Sequence, residues 1–143
     1  MTLQAVLLDS SVYISALRRG RDAALALRPL ISQTALWLSS VVLEELYAGA
    51  FGPDLDLLER WERDFDKAER ILVPNLQDWA QSGRALSKLA GDYGYEEIGR
   101  GRLTNDALIA TSAGRTGIRV ITANANDFAR LSEFVDFEWQ PTV

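Results

Sequence analysis

Residues 5–12 read Ala5-Val6-Leu7-Leu8-Asp9-Ser10-Ser11-Val12. The apolar run is too short for a helix and stops abruptly at polar residues, the pattern of a buried strand. Val12, Ile14, Ala16 and Leu17 then follow at helical spacing, so a helix starts at Asp9-Ser10-Ser11. The same unit recurs at Leu36-Trp37-Leu38-Ser39-Ser40. There Ser39 or Ser40 caps a helix that runs through Leu43, Glu45, Leu46 and Ala48 to Gly49. The element order therefore begins β-α-β-α.

Downstream, Leu55, Leu58, Trp61 and Phe65 recur at helical spacing after Pro53, with Asp and Arg between them, which predicts a surface helix up to about Lys67. Ile71-Leu72-Val73 is a strand closed by Pro74. From Leu76 to Tyr93 an amphipathic helix is predicted to turn Trp79, Ala80, Gly83, Leu86, Leu89 and Ala90 toward the core. Residues 94–101 carry glycines and the pair Glu96-Glu97 without a period, which predicts a flexible surface loop. Thr104 is expected to cap a helix through Ala107, Leu108, Ala110, Thr111 and Ala113, ending near Gly117. Arg119-Val120-Ile121-Thr122 is a strand, 124–131 a turn and short helix, and 134–139 the last strand. Strands alternating with helices predict an α/β fold, a single domain over 1–143 with a central parallel sheet of four to five short strands flanked by helices. In such sheets sites gather at the carboxyl ends of the strands.

Composition narrows the chemistry. A chain of 143 residues with 48% apolar and 24% charged residues is ordinary for a globular domain. It contains no cysteine, which excludes disulfides and thiol nucleophiles and makes the cytosol the expected compartment. It contains no histidine either, which removes the commonest general base and the usual nitrogen ligands. Catalysis must rest on carboxylates, lysine, tyrosine or a hard metal. No apolar stretch is long enough to span a membrane, and the first eight residues lack the basic flank of a signal peptide. The net charge of -5 argues against a general basic grip on nucleic acid.

Asp9 follows the first strand directly, and Asp127 lies shortly after the strand ending at Thr122, so both can reach the crevice above the sheet. Asp106 falls in the first turn of its helix, and Glu44 and Glu45 near the start of theirs. Each aspartate also has a plain structural reading, since helix starts favour aspartate through capping and the macrodipole. Glu45 differs: it stands among Val41-Val42-Leu43 and Leu46-Tyr47-Ala48, where burying an unpaired glutamate costs several kcal/mol. Glu44 is the better candidate for a solvated side chain. Taken together the acids repel, two charges about 5 Å apart interacting by roughly 3 kcal/mol at an effective dielectric near 20. A cation relieves this, and oxygen-only ligands suit magnesium or manganese. Two such ions can activate a water and stabilise the departing oxygen of a phosphodiester.

Four segments carry a family resemblance: Leu7-Leu8-Asp9-Ser10-Ser11-Val12, Glu45-Leu46-Tyr47-Ala48-Gly49, Asn105-Asp106-Ala107-Leu108-Ile109-Ala110, and Ile121-Thr122-Ala123-Asn124-Ala125-Asn126-Asp127-Phe128. In order and spacing the chain resembles the PIN-domain family, and within it the VapC-type toxins. The resemblance implies that Asp9, Glu45, Asp106 and Asp127 are the catalytic, metal-ligating acids, with Ser11, Thr122 and Asn124 lining the site. Relatives place the fourth acid at the position of either Asn124 or Asp127. It further implies a magnesium-dependent endoribonuclease acting on tRNA or ribosomal RNA, a homodimer, and silencing by a small VapB-type antitoxin that inserts an arginine or an amphipathic segment near the acids. Arg18, Arg19 and Arg21, with Arg100 and Arg102, are candidate phosphate contacts, although solvated surface arginines are common.

The aromatic residues Trp61, Phe65 and Trp79 are expected to pack in the core, while Trp37 and Tyr47 fit either the core or a partner-facing groove. A haloacid-dehalogenase-type phosphatase also begins with a strand ending in aspartate, but it wants a second aspartate where this chain has Ser11. A phosphate-receiver domain fits the fold pattern but needs an acidic pair after the first strand and a late lysine, and neither is present. From another class, a non-catalytic PIN-type RNA-binding or assembly module remains the alternative.

Overall fold

A computed structural model describes residues 3–19, 35–94, 96 and 103–142. Strand β1 is Ala5–Leu8 and helix α1 is Ser10–Arg18. They are followed by β2 (Ala35–Ser39), α2 (Ser40–Ala48), α3 (Pro53–Lys67) and β3 (Ile71–Leu72). The second half holds α4 (Leu76–Tyr93), α5 (Leu103–Thr116), β4 (Arg119–Thr122), α6 (Ala125–Leu131) and β5 (Trp139–Pro141).

The strands form one parallel sheet in the order β3-β2-β1-β4-β5, at the upper end of the predicted four to five. β1 sits in the middle, and its Leu7 and Leu8 are fully buried, which is why this strand reads as an unbroken apolar run. The chain builds outward from β1 to β2 and β3, then returns to the other side of β1 for β4 and β5. Strand order thus reverses between β1 and β4, and a crevice opens beyond their carboxyl ends.

Local chemistry sets the helix starts. Ser39, not Ser40, caps α2, its Oγ accepting from Val41 N at 3.2 Å. Pro53 opens α3 behind Gly52, whose φ of 67° suits glycine. Asn75 and Asp78 form a reciprocal capping box on α4, with bonds of 2.8 and 2.9 Å. At the far end of α4, the Tyr93 hydroxyl donates to Glu133 at 2.6 Å and its ring lies under Arg130, tying the helix to α6.

Several expectations need correction. The helix α4 turns Asp78, Ser82, Ala85, Leu89 and Ala90 inward, and Leu86 is only half-buried. Trp79 is 58% exposed, and Ala80 and Gly83 face outward as well. The cause is Arg115 on α5, whose Nε lies 2.9 and 3.0 Å from the two Asp78 oxygens. A paired carboxylate can be buried where a lone one cannot, so counting apolar residues picks the wrong face. Thr104 does not cap α5, because Leu103 is already helical and buried. The last strand starts where it was predicted to end: residues 132–135 turn back on α6, and Phe134, Val135 and Phe137 pack against the core outside any strand. β3 stops at Leu72, leaving Val73 exposed.

Trp61 and Phe65 pack as predicted, Trp61 lying 5.4 Å from the Tyr13 ring. Trp37 and Tyr47 are half-buried against the core, and the Tyr47 hydroxyl is bound within the chain to Glu62 at 2.7 Å. Arg21, Arg100, Arg102 and most of the loop predicted over 94–101 lie outside the described residues. Among the described residues no helix is long and apolar enough to cross a membrane.

Gly114 on α5 lets the segment before β5 come close: a Cβ there would lie 2.3 Å from the Asp136 carbonyl oxygen. Because the obstacle is backbone, Gly114→Ala is expected to destabilise the fold by about 1–3 kcal/mol, measured by urea denaturation. An unchanged midpoint would contradict this close packing.

Candidate active site

The site grows from the first residue after β1. Asp9 is the N-cap of α1, in extended conformation, with its Oδ1 3.4 Å from Val12 N. Its backbone N continues the sheet ladder to Ile121 O at 3.0 Å, which seats Asp9 on the β4 side. The side chain is 3% exposed, and both its oxygens accept hydroxyl hydrogen bonds. Ser11 Oγ donates to Oδ1, and Thr122 Oγ1 donates to Oδ2 at 2.6 Å.

Each hydroxyl is oriented from behind. Ala123 N donates to Ser11 Oγ at 3.0 Å, and Asn124 N donates to Thr122 Oγ1 at 2.8 Å. With a backbone N–H occupying one lone pair, each hydroxyl directs its own proton at Asp9. Asn124 then passes the network outward, its Nδ2 donating to Asp127 Oδ2 at 2.7 Å. Asp9, Ser11, Thr122, Asn124 and Asp127, all singled out in the sequence, therefore belong to one hydrogen-bonded chain across the β1–β4 crevice.

Glu45 and Asp106 come from α2 and α5, which contact each other, while α2 also contacts α1. Asp106 is in the first turn of α5 and only 4% exposed. Glu45 is half-buried with its Oε1 atom fully covered, whereas Glu44 is exposed, as expected. Among the described residues no three acids form a cluster that encloses an ion. The available atoms are carboxylate, hydroxyl and amide oxygens, a donor set suited to a hard divalent cation that keeps several of its waters.

A groove of about 540 Å³ beside Glu45 is lined by Ile14, Leu17 and Arg18 of α1, with Glu44, Ala50 and Asp54 on the other wall. Ile14 and Arg18 also line a second hollow with Ser11, Ser15 and Arg19, so the exposed face of α1 connects the Glu45 and Asp9 sides. Arg18 and Arg19 are exposed on that face. The groove role of Ile14 and Leu17 was not legible in the sequence, where their helical spacing marked only an apolar face.

Burial pushes the Asp9 carboxyl above its ordinary value of 3.8, against hydrogen bonds from Ser11, Thr122 and Val12 that hold it down. Raising a folded-state pKa makes the ionised form a burden: the cost is absent below the ordinary pKa and develops as pH rises through the raised one. Without divalent cations, Asp9→Asn should therefore melt above the wild type at neutral pH, and the gap should close as pH falls toward 3.8. A variant that melts lower at neutral pH would contradict the desolvation argument.

No curated protein sequence matches the chain significantly. Among solved structures, a chain of the DNA-bound VapBC of Salmonella typhimurium is similar at 20% identity and a TM-score of 0.65, covering 97% of this chain and 98% of that one. A chain of VapBC-1 from nontypeable Haemophilus influenzae is 27% identical with a TM-score of 0.61, covering 95% and 96%. A chain of FitAB bound to the IR36 DNA fragment is 23% identical with a TM-score of 0.63, covering 95% and 94%. The PIN domain family matches residues 6–133, from β1 through α6 and every residue of the site, and the chain belongs to that family.

Proposed function

We propose that the chain is a magnesium-dependent endoribonuclease, with manganese able to substitute, and the toxin of a type II toxin–antitoxin module acting in the cytoplasm on tRNA or ribosomal RNA. The observation that carries this reading is Asp9, a desolvated carboxylate fixed by two hydroxyls at the switch point of a PIN sheet. Asp9, Glu45 and Asp106 would hold the cation, completed from the turn after β4 by Asp127 or Asn124. When bound, the cation supplies charge neutralisation at the phosphate and activation of a water.

The chain's own residues do the rest. Ser11 and Thr122 fix the rotation of the Asp9 carboxylate, so its ligating lone pairs keep one direction. Arg18 and Arg19, on the groove that joins the two sides of the site, meet the flanking phosphates, and Arg100 and Arg102 are assigned the same task. In a chain of net charge -5 these local cations are needed to admit RNA, so binding should weaken with salt.

Two partners follow from the same reading. The groove with an apolar floor at Ile14 and Leu17 and an acidic wall at Glu44, Glu45 and Asp54 suits a basic amphipathic peptide, and the neighbouring VapBC structures favour a VapB-type antitoxin. A homodimer of a chain this acidic needs an uncharged contact face. Exposed Val73, Leu76 and Trp79 offer one, with Ala80 and Gly83 on the same helix face to receive the partner's bulk. Trp79→Asp should reduce the mass measured by light scattering from dimer to monomer, and an unchanged mass would exclude this face.

The alternative is a non-catalytic RNA-binding or assembly module, favoured by the lack of three clustered acids among the described residues. The two readings separate in one assay. Partner-free protein incubated with total tRNA and ribosomal RNA should yield discrete fragments with magnesium or manganese and none with chelator. Asp9→Asn should lower the rate by more than about 100-fold, the upper end of what losing a supporting group costs. RNA left intact with every metal would favour the module.

A further inference from the structure

The connection Gly49-Ala50-Phe51-Gly52 joins α2 to α3, and its path is fixed at both ends. Ala50 N donates to Tyr47 O at 3.3 Å, and Gly52 takes the left-handed φ of 67° behind Pro53, with Leu55 N donating back to Gly52 O at 3.1 Å. On this fixed turn Phe51 is 80% exposed, the most exposed aromatic side chain among the described residues. Single exposed apolar side chains are ordinary, so its place in the fold has to carry the argument. Ala50 before it and Asp54 after it both line the groove beside Glu45, which puts Phe51 at the rim. The groove, at about 540 Å³, has the size of a small-ligand site.

We infer that this groove is a guanine subsite for the RNA substrate, with Phe51 stacking on the base at the rim and the Glu44 and Asp54 wall accepting hydrogen bonds from its N1–H and N2–H. The inference rests on the ribonuclease reading above, and it makes Phe51, Glu44 and Asp54 specificity-determining residues. The wall repels phosphates, so the part of an RNA that enters is a neutral base. Among the described residues no hydrogen bond or ion pair engages Glu44 or Asp54. Carboxylates only accept, and guanine alone among the four bases sets two donors side by side on its Watson–Crick edge. Adenine and cytosine place a ring-nitrogen acceptor beside their amino group, and uracil has its one N–H between two oxygens, so each turns a lone pair toward the wall. Arg18 lines both the groove and the hollow that holds Arg19, which sets a phosphate site beside the base site. One nucleotide uses both, its phosphate on the arginines and its base across Arg18 in the groove. Stacking on an aromatic ring is tolerant of sequence, so Phe51 supplies affinity and the two acids supply the choice of base.

The test is fluorescence polarisation with labelled single-stranded oligouridylates that carry one guanosine, or one inosine or adenosine in its place, in chelator so that no cleavage intervenes. The chain should bind the guanosine oligonucleotide about tenfold more tightly than the adenosine one, the discrimination given by one two-bond contact to a base. Inosine lacks the N2 amino group and should fall between them. Phe51→Ala should weaken the guanosine complex by about tenfold, the range for one lost stacking partner, whereas Phe51→Trp should retain it. Both replace an exposed side chain and should leave the melting temperature unchanged. Glu44→Gln combined with Asp54→Asn should bind the three oligonucleotides without preference. Equal binding of all three by the unaltered chain, or undiminished binding by Phe51→Ala, would overturn the inference. So would a Phe51→Ala variant that keeps RNA but loses a synthetic basic amphipathic peptide, which would give the rim to the peptide. Metal-dependent cleavage of RNA by a chain without the guanosine preference would leave the ribonuclease reading standing and remove the subsite. Guanosine-selective binding by a chain that cleaves no RNA would keep the subsite and remove the ribonuclease reading.

Discussion

A carboxylate with 3% exposure sits at the carboxyl end of the central strand, and the two halves of the sheet are joined around it. Asp9 caps α1 on the β1 side, and Thr122 reaches it from the end of β4. The turn after β4 is then fixed by the backbone N–H groups of Ala123 and Asn124, bonded to the same hydroxyls that serve Asp9. Desolvating a charge in this way is costly, and hydroxyl hydrogen bonds offset only part of it, since the Asp9 carboxyl still prefers its proton more than usual. A bound cation would relieve that residual cost.

Sequence periodicity resolved the strands and helices wherever burial alone determines the pattern. β1 was legible because it is buried on both faces, and α1 and α2 because an acidic or hydroxyl cap precedes each apolar stripe. Glu45 was separable from Glu44 by its apolar neighbours, and its covered Oε1 agrees. The failures share a cause, contacts made by residues far apart in sequence. Arg115 draws Asp78 inward across 37 positions and rotates α4. Phe137 reads as a strand residue but packs on the Phe128 ring at 6.1 Å. The bond from Asn124 to Asp127 was not legible either, because spacing along the chain does not say which side chains meet.

Charge distribution gives the surface its division of labour. The groove beside Glu45 has an acidic wall facing Arg18, whereas the hollow beside Ser11 is lined by Arg18 and Arg19 together. A polyanion and a basic peptide would therefore approach overlapping but different parts of the same α1 face. The outward face of α4 is apolar instead, with Leu76 85% and Trp79 58% exposed.

Anomalous diffraction from crystals soaked in manganese tests the central claim most directly, because it locates the cation without relying on activity. One or two peaks are expected beyond the ends of β1 and β4, in direct contact with Asp9 and within reach of Glu45 and Asp106. A well-occupied peak elsewhere, or none at Asp9 at saturating manganese, would contradict it.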